Sequence, residues 1–163
     1  MKTLYVMRHA KSSWENLSLS DQERPLSDRG KNDAPEMGRR LAAKNILPAI
    51  IVSSPARRAR KTAKKVAKQI GYPKEKIQLN DELYFSGVRG LVDTLRNTPD
   101  VHKSLMIFGH NPDFTDLINH FTGAGIINVP TAGVVQIDFD IASWSELKGK
   151  QGVLVFFDYP KKK

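Results

Sequence analysis

Short, continuous apolar runs alternate along this chain with segments whose apolar residues recur at helical spacing. That alternation constrains the fold more than any other feature. The runs 3–7 (Thr-Leu-Tyr-Val-Met), 49–52 (Ala-Ile-Ile-Val) and 105–108 (Leu-Met-Ile-Phe) show no in–out alternation of polarity. Strands of this kind are buried on both faces, as in a parallel sheet covered by helices on two sides. Between them, Ala34, Met37, Leu41 and Ala42 fall on one helical face, with Ser27 or Asp28 as the expected N-cap. A second helix follows Ser53-Ser54-Pro55, read as an N-cap and a proline at the first helical position, and it closes at Gly71. Two more helices are carried by Val88, Leu91, Val92, Leu95 and by Phe114, Leu117, Ile118, Phe121. Residues 77–79 predict a short third strand. The runs 134–139 and 153–157 have no full helix between them, so they are expected to pair antiparallel. The fold class expected is α/β: a three-layer sandwich with a mainly parallel central sheet, an antiparallel edge strand and helices on both faces. It forms one domain over 1–163.

Zero cysteines among 163 residues exclude disulfide scaffolds, Cys-rich zinc sites and cysteine nucleophiles, and leave the four histidines as the groups for near-neutral chemistry. No run approaches ~18 apolar residues, so no membrane span is expected. The apolar start at 4–7 is cut short by Arg8 and His9, too short for a signal-peptide core, and the expected location is cytoplasmic. Lys and Arg number 26 against 17 Asp and Glu, a net charge of +9, which points to anionic partners. The densest basic run, 57–68, has an apolar stripe at Ala59, Ala63, Val66, Ala67 and Ile70, leaving most of its cations to water. A solvated helix face is the plain reading. The other is a docking surface at Lys64, Lys65 and Lys68 for an acidic phosphotransfer domain. The tail Lys161-Lys162-Lys163 reads as a frayed end.

Ligands of open α/β sheets bind at the carboxyl ends of the strands. The first strand ends in Arg8-His9, the second in Ser53-Ser54-Pro55-Ala56-Arg57-Arg58, and the run at 105–108 in Gly109-His110-Asn111-Pro112. Three separate corners therefore deliver two histidines and two or three arginines to one edge. Arginines offer planar, permanently charged donors to phosphate oxygens, and a helix start adds backbone N–H groups. Such a pocket holds a dianion without a metal or other cofactor, and a neutral imidazole inside it can attack phosphorus. His102 and His120 lack this setting and read as structural or exposed.

Those residues resemble the histidine phosphatase (phosphoglycerate-mutase-like) superfamily. Arg8-His9-Ala10 is similar to its Arg-His-Gly signature, and Pro25-Leu26-Ser27-Asp28-Arg29-Gly30 to its Pro-Leu-Thr-x-x-Gly. The run from Ser54 to Ala63 is similar to Ser-x-x-x-Arg-Ala-x-x-Thr-Ala, which puts the second arginine at Arg58 and not Arg57. The second histidine stands in Gly109-His110-Asn111-Pro112. The details 8–14, His110-Asn111-Pro112 and Pro130-Thr131-Ala132-Gly133 most resemble the SixA-type phosphohistidine phosphatases. Ala10 replaces the usual Gly, and Lys11 and Glu15 stand where phosphoglycerate mutases carry an acidic residue and an Asn, which weakens a mutase reading. The absence of large lid insertions also fits the compact SixA type.

The resemblance implies His9 as nucleophile, with Arg8, Arg58 and His110 around the phosphoryl oxygens and Glu82 as proton donor, Asp81 being the fallback. Ser12, Ser13 and Thr131 are candidate hydrogen-bond donors at the rim, and Trp14 is a lid or a packing anchor. The function implied is a metal-independent phosphatase acting through a phosphohistidine intermediate. Its substrate would be a phosphorylated protein such as a histidine phosphotransfer domain, or a small phosphoester. Competing readings are a silent phosphate-binding sensor, a nucleic-acid-binding module, for which no motif is present, and an aspartate-nucleophile phosphatase. That last reading rests on Asp138-Phe139-Asp140, which lies far from the first strand where its motif belongs.

Overall fold

The computed structural model describes residues 1–162; Lys163, the last residue of the expected frayed end, lies outside the described residues. Six strands, β1 (Lys2–Arg8), β2 (Ile50–Ser53), β3 (Gln78–Leu79), β4 (Ser104–Gly109), β5 (Val134–Phe139) and β6 (Val153–Asp158), join in one sheet. Its order is β3-β2-β4-β1-β5-β6. The pairs β1–β4, β2–β4 and β2–β3 are parallel, while β5 runs antiparallel to both β1 and β6. The antiparallel strand expected at the edge is thus β5, one place in, with β6 outside it. Among the described residues four α-helices complete the fold: α1 (Asp28–Ala43), α2 (Arg57–Ile70), α3 (Gly87–Arg96) and α4 (Asp113–Thr122). None is long and apolar enough to cross a membrane.

The continuous apolar runs are explained by the two-residue period of a strand. Leu4, Val6, Leu105 and Ile107 pack on one face with Leu91, Leu95, Phe114 and Leu117 of α3 and α4. Tyr5, Met7, Met106 and Phe108 pack on the other with Met37, Leu41, Ala63 and Val66 of α1 and α2. Both faces of β1 and β4 are covered, so the central residues of these strands are apolar on both sides.

The helix ends follow their local chemistry. Ser27 caps α1, its side chain accepting from Gly30 N–H at 3.2 Å. Gly71 closes α2 with φ of 81°, a left-handed backbone that glycine adopts without cost. The start of α2 corrects the sequence expectation: Pro55 is not its first residue, and the N-cap is Ala56. Ser54 Oγ is engaged by His110 Nε2 and Ala56 N–H, residues 55 and 56 form a bend, and the helix begins two residues later than expected.

The first turn of α1 is clamped to the segment after β1. Lys11 O accepts from Ser27 N–H at 2.9 Å and from Ser27 Oγ at 3.1 Å, and a Cβ built on Gly30 would lie 2.1 Å from that same oxygen. Backbone fills the space, so the third residue of this helix can carry no side chain. Gly30→Ala is expected to cost about 2 kcal/mol through overpacking and to lower Tm by roughly 4–8 °C; an unchanged Tm in calorimetry would contradict this close approach.

Candidate active site

The C-terminal end of β1 is anchored from three directions. Arg8 N–H donates to Gly133 O at 3.0 Å, His9 N–H donates to Gly109 O at 3.0 Å, and His9 O accepts from Ala132 N–H at 2.9 Å. Ala10 N–H donates to Thr62 Oγ1 at 2.9 Å, and that hydroxyl donates to Arg58 O at 2.8 Å. One threonine of α2 therefore ties the loop carrying His9 to the helical turn carrying Arg58.

His9 is 7% exposed, and its Nδ1 lies 2.7 Å from Ala10 O. A carbonyl only accepts, so Nδ1 carries the proton and Nε2 keeps its lone pair. His110, 1% exposed, has its ring centroid 5.2 Å from that of His9. Its Nε2 is 2.7 Å from Ser54 Oγ, which already accepts from Ala56 N–H at 3.2 Å. When Ser54 donates to Nε2, the His110 proton lies on Nδ1. Arg8 donates to Val129 O at 3.0 Å through Nη1. Among the described residues, the buried side-chain polar atoms left without a partner are Arg8 Nε and His110 Nδ1. Both belong to this cluster; Arg8 Nε is a donor free for an oxyanion, and His110 Nδ1 is one in the tautomer that carries its proton there.

Arg58 is buried, as the motif register requires, whereas Arg57 is exposed. Its two terminal nitrogens donate to Asp21 O at 2.7 Å and Asp21 Oδ2 at 2.9 Å. The Asp21 carboxylate also accepts from Tyr84 Oη at 2.6 Å and Arg24 Nη1 at 3.0 Å. The sequence reading does not single out Arg24, Asp21 or Tyr84, and it names Ser54 only in a helix cap and a motif. Arg24 stands directly before the Pro25-Leu26-Ser27 motif, and that position was the available signal. Asp21 and Tyr84 lie in polar stretches with no periodicity to mark them. Phe85 takes a φ of 57°, a costly backbone for a bulky residue, and its ring stacks on His110 at 4.8 Å.

Of the residues expected at the site, His9, His110, Arg8 and Arg58 come together. Thr131 is half-buried beside Ala132 on the loop that holds the His9 carbonyl. Ser12 is buried, but its Oγ accepts from Arg24 Nη2, so it positions an arginine instead of facing a ligand from the rim. Ser13 O accepts from Arg24 Nε at 3.3 Å. Trp14 lies flat over the Arg24 guanidinium, 3.2 Å from Cζ to the ring centroid, which makes it a packing anchor on that arginine. Glu82 lines a cleft with Leu79, Leu95 and Pro99, none of which belongs to the cluster. Its Oε2 lies 3.6 Å from the point a Cβ on Gly90 would occupy, so its carboxylate is turned toward α3. Asp81 is exposed on the same short turn, engaged there through its backbone oxygen. Asp138 accepts from Thr3 Oγ1 at 2.8 Å, at the opposite end of β1 and about 16 Å of strand away from Arg8. His120 is exposed and His102 is half-buried, its carbonyl accepting from Trp144 Nε1.

Burial holds the His9 imidazole down to about 3. The hydrogen bond to Ala10 opposes this, and the charges of Arg58, Arg8 and Arg24 reinforce it. His110 is likewise lowered to about 3, first by burial and then by His9 and Arg58, with Asp21 opposing. Desolvation works against ionising Asp21, yet hydrogen bonds from Tyr84, Arg58 and Arg24 bring it down to about 2. At neutral pH the cluster therefore holds two uncharged rings, three guanidinium groups and one carboxylate. A neutral nucleophile facing an oxyanion cage is what the arrangement can offer chemically.

The linkage sign follows from these values. A histidine of the unfolded chain titrates near 6.5, and the folded rings near 3, so the unfolded state binds more protons in between. Their contribution to stability is complete above about pH 6.5 and is lost as pH falls toward 3, at about 1.4 kcal/mol per pH unit for each ring. Urea midpoints should drop between pH 6.5 and 4.5 more steeply for the wild type than for His9→Gln; parallel slopes would show that His9 is charged when folded.

Residues 4–114 match the model of the histidine phosphatase superfamily, branch 1. An uncharacterized chloroplast protein of Arabidopsis thaliana is 32% identical over 154 residues, 89% of this chain and 70% of that protein. Among solved structures, a SixA-type chain from Agrobacterium tumefaciens superposes with a TM-score of 0.84 at 23% identity, covering 98% of both chains. The protein histidine phosphatase SixA in complex with tungstate superposes with a TM-score of 0.82 at 19% identity, covering 97% of both. A mycobacterial glucosyl-3-phosphoglycerate phosphatase gives 0.72 at 15% identity, covering 98% of this chain and 100% of that one. With more than half of its length matched by the family model and its histidines and arginines gathered at the ends of β1, β2 and β4, this chain belongs to the histidine phosphatase superfamily.

Proposed function

We propose that this protein is a phosphohistidine phosphatase acting on a protein substrate through a phosphoryl intermediate on His9. The observation that carries the reading is the His9 imidazole, uncharged, with its Nδ1 proton committed to Ala10 O and its Nε2 lone pair free among Arg8, Arg24 and Arg58. In the first step Nε2 attacks phosphorus and an N–P bond forms as the substrate's N–P bond breaks. The departing ring leaves as neutral imidazole when its other nitrogen carries a proton. In the second step water adds to phosphorus, the electron pair of the His9 N–P bond returns to Nε2, and one proton of the water is released with inorganic phosphate.

Charge builds on the phosphoryl oxygens in both steps. Arg8 Nε and His110 Nδ1 are the unpartnered donors that take it up, and Arg58 retains N–H groups beyond the two given to Asp21. In this reading Ser54 donates to His110 Nε2, which leaves the ring proton on Nδ1 as a donor.

The substrate class is supported by the carboxylates. An alkoxide leaving group needs a proton donor, but Glu82 is turned toward α3 and Asp21, at about 2, is ionised. A phosphoramidate leaving as imidazole needs no such acid. The SixA structure bound to tungstate, an oxyanion, is named a protein histidine phosphatase and lends the same support.

Incubation with a phosphohistidine-bearing protein and a panel of small phosphoesters tests this. The wild type is expected to favour phosphohistidine over alkyl phosphates by about 10²-fold or more in kcat/KM, the factor that a positioned acid would otherwise contribute. A phosphoryl group that is labile to acid and stable to alkali should be trapped on His9 and be absent from His9→Ala. Comparable rates on alkyl phosphates would overturn the substrate assignment, and a fully active His9→Ala would overturn the mechanism. Ser54→Ala leaves the buried His110 Nε2 unpaired, at about 1–3 kcal/mol, and should lower kcat/KM about tenfold. Glu82→Gln should leave phosphohistidine hydrolysis unchanged; a large loss would restore Glu82 as the acid.

A further inference from the structure

We propose that the exposed basic face of α2 is a docking rail for an acidic protein surface, leading such a partner to the phosphoryl pocket at the start of the same helix. This deepens the proposed function by naming how its protein substrate is held, and it rests on that reading for the identity of the cargo.

The sequence of α2, RRARKTAKKVAKQI, carries seven Lys and Arg residues and no carboxylate. Its buried face is built from Ala59, Thr62, Ala63, Val66 and Ala67, so helix packing is satisfied without the cations. Arg57, Lys61, Lys64 and Lys68 are exposed. They recur at i, i+4, i+7 and i+11, which makes one stripe about 16 Å long. Arg58, one residue from the head of that stripe, turns inward to the site. The stripe therefore starts in the same turn of α2 that carries Arg58.

The adjoining helix α1 treats its charges differently. There Arg29 pairs with Asp33, Arg39 with Glu36, and Arg40 with Glu36 and Asp158. Among the described residues the ion pair made by α2 is Arg58–Asp21, which belongs to the site. The remaining cations repel one another: Lys61 is lowered first by Lys64 and then by desolvation, Arg57, Arg60 and Lys65. Beside the stripe lies a groove of about 570 Å³ whose charged lining is Lys61, Lys64, Lys65, Lys68 and Lys74 against the single carboxylate of Glu75. A counter-charge supplied from outside relieves this repulsion, and a surface rich in Asp and Glu supplies it. The aromatic ring of the groove, Tyr72, is 8% exposed and offers no stacking face, which favours an acidic protein over a single-stranded nucleic acid.

The test uses the full chain with the triple substitution Lys61→Glu, Lys64→Glu and Lys68→Glu. KM for a phosphohistidine-bearing acidic protein should rise about tenfold or more at low salt with kcat retained, since rim charges act on encounter and binding. kcat/KM for phosphoimidazole, too small to reach the rail, should not change. The difference between wild type and variant should shrink at high ionic strength. The Lys→Gln triple, which keeps helix-forming residues, should give an intermediate KM and a Tm no lower than wild type, so a misfolded charge-reversal variant does not spare the proposal. Direct binding of a fluorescent polyglutamate peptide, with an RNA oligonucleotide of equal charge as competitor, is measured in parallel. Equal polyglutamate affinity for wild type and both triples overturns the rail, as does an unchanged protein KM; tighter binding of the RNA overturns its assignment to a protein. Should the wild type fail to dephosphorylate any phosphohistidine protein, the functional reading falls by itself and the peptide measurement still decides the rail.

Discussion

An imidazole can act as a nucleophile only while one of its nitrogens is unprotonated, and water at neutral pH leaves that state incomplete. In this protein the His9 ring is buried and surrounded by Arg8, Arg24 and Arg58, so a second proton would add an unsolvated charge to a cationic cavity. The ring stays neutral for electrostatic reasons, and one hydrogen bond to Ala10 O decides which nitrogen is free. The surrounding architecture serves to maintain this state. The end of β1 is hydrogen-bonded to Gly109 at the end of β4, to the 129–133 loop and to Thr62 of α2, so His9 rests on three separate elements.

Concentrating cations in this way creates a second difficulty, which Asp21 answers. Its carboxylate receives Arg58, Arg24 and Tyr84 at once and stays ionised down to about pH 2. Two guanidinium groups that would otherwise repel are fixed relative to one another before any oxyanion arrives. This is preorganisation of the kind that lets charged donors act without rearranging during a reaction. Trp14 and Ser12 extend the same logic outward, one lying over Arg24 and the other accepting from it.

Much of this was legible before any coordinates. Covered strands announce themselves as unbroken apolar runs, because both faces must be apolar at once. Strand ends in an α/β sheet face the ligand, so Arg8-His9, Arg58 and His110 could be placed at one edge from their positions alone. Where the reading failed, the cause is local chemistry that depends on a distant partner. The Ser53-Ser54-Pro55 run has the composition of a helix start, but Ser54 is drawn to His110, 56 residues away in sequence, and the helix waits for Arg57. Glu82 stands where the family resemblance puts an acid, while its side chain turns to the Gly90 side of α3. Asp21, Arg24 and Tyr84 sit in stretches whose composition is that of any solvated loop.

The linear order of residues by itself determined the class of fold, the strand ends that carry Arg8, His9 and His110, and the charge of α2, because each of these depends on period, on position after a strand, or on residue type. Which carboxylate meets the arginines, which nitrogen of His9 holds the proton, and how far the pocket reaches beyond the motifs were decided only by tertiary structure. Those properties depend on contacts a few ångströms long between segments far apart along the chain, and nothing in local spacing specifies them.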